Sequence, residues 1–107
     1  MSRYKEVKTE FRNAASLKRA LEELGIRAST SVDAKVNNLK LINDFHHGDS
    51  QVAVLVTRSD WNKALDYKRN FGGIGFAWNG GGYTLVQDDM DAPYNEPVIN
   101  TIKQRYA

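Results

Sequence analysis

The sequence predicts an α+β fold, an antiparallel sheet of about four to six strands with two or three helices packed mainly on one face. Three observations lead there. Phe71 to Asp89 alternates bulky and small residues on both sides of Asn79-Gly80, the pattern of a β-hairpin. Leu17, Ala20, Leu21 and Leu24 recur at helical spacing, and Gln51 to Thr57 is the most β-branched run of the chain.

In order, Tyr4 to Phe11 alternates as a first strand with Val7 and Phe11 on its buried face. Asn13 then offers an N-cap and Gly25 a left-handed stop for the Leu17 helix, whose Lys18, Arg19, Glu22 and Glu23 form a solvated face. Ile26 to Val32 reads as a short strand. Val36 to Phe45 reads as another, with Lys40 among its apolar positions, and His46 to Asp49 as a turn. Gln51 to Thr57 is expected as a central strand covered on both faces, forming a hairpin with the strand before the turn. Ser59 to Asn70 has two readings. One is a short helix capped by Ser59 or Asp60, with Trp61, Ala64 and Leu65 inward and Lys68-Arg69 at its C-terminal end; the other is a long loop.

The Phe71 hairpin admits two registers. A tight Asn79-Gly80 turn sets Phe76 opposite Tyr83, whereas a four-residue loop ending at Gly82 sets Trp78 opposite Tyr83 and Phe76 opposite Leu85. Both put Ile74, Phe76, Trp78, Tyr83 and Leu85 on one face. Gly75, Ala77, Thr84 and Val86 make a thinner face, expected to accept a close-packed helix. A last helix is expected from near Pro97, with Ile99, Ile102 and Tyr106 on one side.

A chain of 107 residues predicts one domain, residues 1–107. No apolar run approaches the ~20 residues of a membrane span, and the N-terminus lacks the apolar centre of a signal peptide. The expectation is a soluble, cytoplasmic or plastid-stromal protein. Cysteine is absent, which excludes disulfides, thiolate metal sites and thiol nucleophiles. The net charge of +2 is evenly spread, nine basic and seven acidic residues in 1–53 against six of each in 54–107, so no basic stripe favours nucleic acid.

The opening MSRYKEVKTEF, the LKRALEELG helix, the DFHHG turn, the IGFAWNGGGYTLVQD hairpin and the closing IKQRYA resemble the uncharacterised family named after hypothetical chloroplast reading frame thirty-five. Gly75-Phe76-x-Trp78-Asn79 followed by Tyr83-x-Leu85-Val86 is the most specific part of that likeness. The resemblance implies an origin in cyanobacteria, plastids or their viruses, and implies no reaction, because the family is a domain of unknown function. Asp44-Phe45-His46-His47-Gly48 stands where relatives tend to carry Arg-Gly-Tyr-x-Gly, so no arginine contact carries over. Ser59 to Lys68 looks like an insertion, and many relatives continue beyond the position of Ala107.

Each chemical motif has a plainer explanation. His46-His47 diverge in a turn, whereas metal ligands on one helix face want a spacing of three or four. Asp88, Asp89 and Asp91 lack the glycine and distal glutamate of a calcium loop and read as a solvated connection. Gly80 to Gly82 lies between two strands rather than before a helix, so it reads as a turn and not a phosphate cradle. No serine is marked as a nucleophile. No cofactor, metal or catalytic residue is assigned.

The reading is therefore a non-catalytic module that binds another, unidentified protein through Trp78, Asn79 and Tyr83 together with Phe45, His46 and His47. The alternative is single-stranded nucleic acid stacked on the aromatic sheet face, for which Phe76 and Trp78 are the candidates. A small hydrolase or isomerase is a third class, with no residue to name.

Overall fold

The computed structural model describes residues 4–42, 49–65 and 70–107. Its elements run β1 (Tyr4–Lys8), α1 (Ala14–Glu23), β2 (Ser29–Thr30), β3 (Leu39–Ile42), β4 (Asp49–Val52), β5 (Val54–Val56), α2 (Arg58–Ala64), β6 (Ile74–Trp78), β7 (Tyr83–Asp88) and α3 (Ala92–Tyr106). Five strands form an antiparallel sheet in the order β1-β7-β6-β5-β2, while β3 and β4 form a separate two-stranded ribbon. The α+β expectation holds.

The β6–β7 hairpin takes the longer of its two registers, with Trp78 opposite Tyr83 and Phe76 opposite Leu85. Asn79 decides this. Its side-chain oxygen accepts from the backbone N–H groups of Gly81 and Gly82 at 3.1 and 3.0 Å, and its own N–H donates to the Gly82 carbonyl at 3.0 Å. A side chain that satisfies two turn amides fixes a four-residue loop.

The bulky face of that hairpin is the floor of the main core. Phe76, Ile74, Tyr83 and Leu85 join Leu17, Ala20 and Leu21 of α1, Trp61 of α2, and Ile99 and Ile102 of α3. Asn13 caps α1 as expected, accepting from the Ser16 N–H at 3.0 Å. Gly25 follows with φ +74°, a left-handed conformation that costs glycine no Cβ clash.

The thin face is covered by something other than the expected helix. Leu41 and Val52 of the β3–β4 ribbon pack there against Val86, with Ala77, Leu55, Tyr4 and Leu39 around them. Gly75 makes this possible, since a Cβ at that position would lie 2.5 Å from a Val52 methyl. The molecule thus has three layers: helices, sheet, ribbon.

Gln51 to Thr57 accordingly is not one central strand. It bends at Ala53, whose N–H donates to the Phe76 carbonyl at 2.9 Å, while Val54 is also opposite Phe76. Two residues facing one is the arrangement of a β-bulge, and it shifts the pleat by a residue. Val52 therefore points into the small core and Val54 into the large one, although they are two residues apart.

Other boundaries also move. β1 ends at Lys8, and Phe11 reaches the core from the following loop, edge-on to Phe76 at 5.7 Å. The strand expected over Ile26 to Val32 is reduced to Ser29–Thr30, and Val32 is fully exposed. The strand expected over Val36 to Phe45 is Leu39–Ile42 where it is described. The helical reading of the segment after β5 holds for α2, but its cap is Thr57, whose hydroxyl accepts from the Asp60 N–H at 3.2 Å. Trp61 and Leu65 are buried there as expected, and Lys68-Arg69 lie outside the described residues. α3 starts at Ala92 with Pro93 in its first turn, and Pro97 sits inside it on the exposed side. Its missing N–H falls against the carbonyl of Pro93, close enough to the helix start for one lost bond to be tolerated.

Among the described residues, no helix is long and apolar enough to cross a membrane.

Candidate functional site

The hairpin tip and the 31–38 loop build one end of the molecule. β5 ends its pairing with β6 at Val54 opposite Phe76, so among the described residues no strand pairs with the backbone of Trp78, two residues further, on that side. The amide of Asn37 takes the place of one. Its Oδ1 accepts from the Trp78 N–H at 2.7 Å and its Nδ2 donates to the Trp78 carbonyl at 2.9 Å. One asparagine side chain thus mimics a strand residue.

The rest of the loop closes around the same ring. Asp33 shapes it, accepting from the Lys35 N–H at 2.9 Å with its carboxylate and from the Ser31 hydroxyl at 2.6 Å with its carbonyl. Lys35 then lies over the Trp78 ring, 5.2 Å from its centre, a cation–π distance. Tyr83 stands edge-on to Trp78 at 5.1 Å and donates its hydroxyl to the Ala34 carbonyl at 2.6 Å. Burial raises the Tyr83 pKa above 10.0, helped by the negative charge of Asp33 and by Tyr106. The phenol is therefore a neutral donor that fastens the loop.

Of the expected contact residues, the structure brings Trp78, Asn79 and Tyr83 together, but with unequal roles. Tyr83 is 2% exposed and Asn79 spends its side chain on the turn and on Thr84, so both serve to hold the tip. Trp78 is only partly buried. Val32 and Val36 of the 31–38 loop are exposed, and neither was singled out in the sequence. The signal for them was Asp33, a turn-former directly after a β-branched residue, followed by Asn37-Asn38.

Phe45, His46 and His47 lie outside the described residues. Their flanks, Ile42 and Asp49, pair with each other at the end of the β3–β4 ribbon. The chain runs from Asn37 beside Trp78 into β3, where the Leu41 carbonyl accepts from the Tyr4 hydroxyl at 2.9 Å. Tyr4 pairs with Asp88, five positions along β7 from Tyr83, or about 17 Å at the rise of an extended strand.

That second end holds a buried polar cluster. Asp88 and Asp91 are 0% and 1% exposed, which corrects the expectation of a solvated acidic connection. The carboxylate of Asp91 accepts from the Phe71 N–H at 2.9 Å and the Gly72 N–H at 3.1 Å, and Asp88 accepts from the Met90 N–H at 2.8 Å. These backbone donors offset part of the cost of burying the two carboxylates. Desolvation nevertheless raises the Asp91 pKa, with the two backbone bonds acting the other way. Next to it, Asn95 accepts from the Trp61 indole N–H and donates to Gln87, both at 2.8 Å. The cluster ties α2, α3, β7 and the start of β6 together. Among the described residues no three histidine, aspartate or glutamate side chains converge as metal ligands do.

The aromatic face needed for base stacking is the floor of the helix-covered core, where Phe76 is 0% exposed. Stacking requires an accessible ring face. No protein-family model, curated protein or solved structure matches the chain.

Proposed function

We propose that this protein is a non-catalytic binding module for another protein, and that its contact surface is the Trp78 end of the sheet with the 31–38 loop. One observation carries the reading: Trp78 is partly exposed, its backbone held by Asn37 and its ring contacted by Tyr83 and Lys35, while the 31–38 loop that supplies Asn37 and Lys35 also exposes Val32 and Val36. A preorganised, partly exposed aromatic ring is a usual anchor of a protein interface, because little side-chain entropy is lost on binding. The likeness to the chloroplast-reading-frame family supports looking for the partner in cyanobacteria, plastids or their viruses.

The test is affinity capture from a phototroph lysate with the wild-type chain, Trp78→Ala and Val36→Asp, each checked for fold by circular dichroism. A protein held by the wild type and lost from both folded variants supports the reading. Capture that both variants retain refutes it, as does retention of oligonucleotides alone with affinity falling steeply in salt, the mark of nucleic-acid binding.

A further inference from the structure

β1 is an edge strand. β7 pairs with one side of it, and among the described residues no strand pairs with the other. Between this edge and α3 runs a groove of about 420 Å³, lined among others by Lys5 and Val7 of β1 and by Glu96, Ile99, Asn100 and Lys103 of α3. Open edges are templates for strand addition, and charged residues along them decide what can be added.

We infer that the partner added here is a second copy of the chain, through antiparallel β1–β1 pairing about a twofold axis at Val7. The sequence of the strand selects that register. Pairing centred on Val7 sets Glu6 opposite Lys8 of the second copy and Lys8 opposite its Glu6, with Val7 against Val7 and Lys5 against Thr9. Centring on Lys5, Glu6 or Lys8 instead sets identical charges against each other, which is destabilising in directly opposed pairs. Registers centred between two residues would turn the second copy over, placing its helices on the opposite face of the joined sheet.

The helix layer independently fits the same axis. In the Val7-centred arrangement both copies of α3 lie on one side of the joined sheet and run antiparallel. Glu96 and Lys103 are seven residues, two turns, apart on the groove side of α3, and their midpoint falls between Ile99 and Asn100. Those two residues line the groove alongside Val7, so one axis brings Glu96 of each copy toward Lys103 of the other. Among the described residues Glu6, Lys8, Glu96 and Lys103 have no ion-pair partner within the chain. A self-complementary patch satisfied by one twofold operator is the signature of an isologous dimer. The product is a continuous ten-stranded sheet. This surface is separate from the Trp78 end, so the two readings stand or fall apart.

Sedimentation equilibrium at tens of micromolar should give twice the 12.1 kDa chain mass. Glu6→Lys and Lys8→Glu should each give the single-chain mass while remaining folded by circular dichroism. Mixing the two variants should restore the doubled mass, because each then meets opposite charges. The chain has no cysteine, so Val7→Cys should oxidise cleanly to a disulfide-linked dimer. The inference is overturned by a wild type that stays at the single-chain mass at millimolar concentration, by a dimer that neither charge reversal disturbs, or by variants that fail to reassociate on mixing. A wild type that stays single and instead takes up an unrelated extended peptide on β1 overturns it as well.

Discussion

Gly75 marks the closest approach between the sheet and the ribbon, and replacing it with alanine measures how that contact holds the third layer. The added Cβ would lie 2.5, 2.9 and 3.0 Å from Cγ1, Cγ2 and Cβ of Val52, where ordinary contact begins near 3.4 Å. Val52 is 0% exposed and packed against Leu41 and Val86, so it can yield only by moving the ribbon. Overpacking of this kind costs about 1–3 kcal/mol. Val52→Ala removes two buried methyls, about 1.6 kcal/mol of transfer free energy, with a cavity contribution bringing the loss to roughly 2. In Gly75→Ala/Val52→Ala the new methyl enters the space vacated by the old ones. The double variant should therefore lose about 2 kcal/mol rather than the ~4 of the sum, a coupling of about 2. Urea unfolding of the four proteins measures each difference. Gly75→Ala within ~0.5 kcal/mol of the wild type, or two losses that simply add, would refute the three-layer packing at this point.

Two further outcomes concern the buried polar cluster. Asn95→Ala strands the Trp61 indole N–H and the Gln87 side-chain Oε1 in a buried site, and urea unfolding should show a loss of about 2–4 kcal/mol. A loss below ~1 kcal/mol would mean that neither group depends on Asn95. For Asp91 the folded-state pKa is raised above 3.8, so the folded chain holds a proton that the unfolded chain has released. That contribution is fully present below pH 3.8 and is lost as pH rises through the raised value. Measured against Asp91→Asn by urea unfolding, the wild type should be relatively most stable in acid and decline toward a plateau at neutral pH. A relative gain on raising pH would show instead that the backbone bonds from Phe71 and Gly72 outweigh burial.

Local sequence determined what depends on neighbours along the chain. The α1 cap at Asn13 and stop at Gly25, the shared face of Ile74, Phe76, Tyr83 and Leu85, and the ribbon hairpin followed from periodicity and turn chemistry. The register at the tip stayed open between two choices, and nothing in the letters said that Trp78 would stand opposite Tyr83, or that Tyr83 would be buried and Trp78 only partly so. Tertiary structure alone decided which partner each face found. The Ala53 bulge turns Val52 and Val54 into different cores, and the interruption depends on the Phe76 carbonyl, more than twenty residues away. Asp88 and Asp91 read as solvated because acidic residues seldom bury, and they bury here with backbone amides as donors, the neighbouring Met90 for Asp88 and the distant Phe71 and Gly72 for Asp91. Asn37 acts as a strand only because β5 stops short of Trp78. Periodicity encodes which side of an element is apolar; the long-range hydrogen bonds and close approaches that choose its covering are set only when the layers meet.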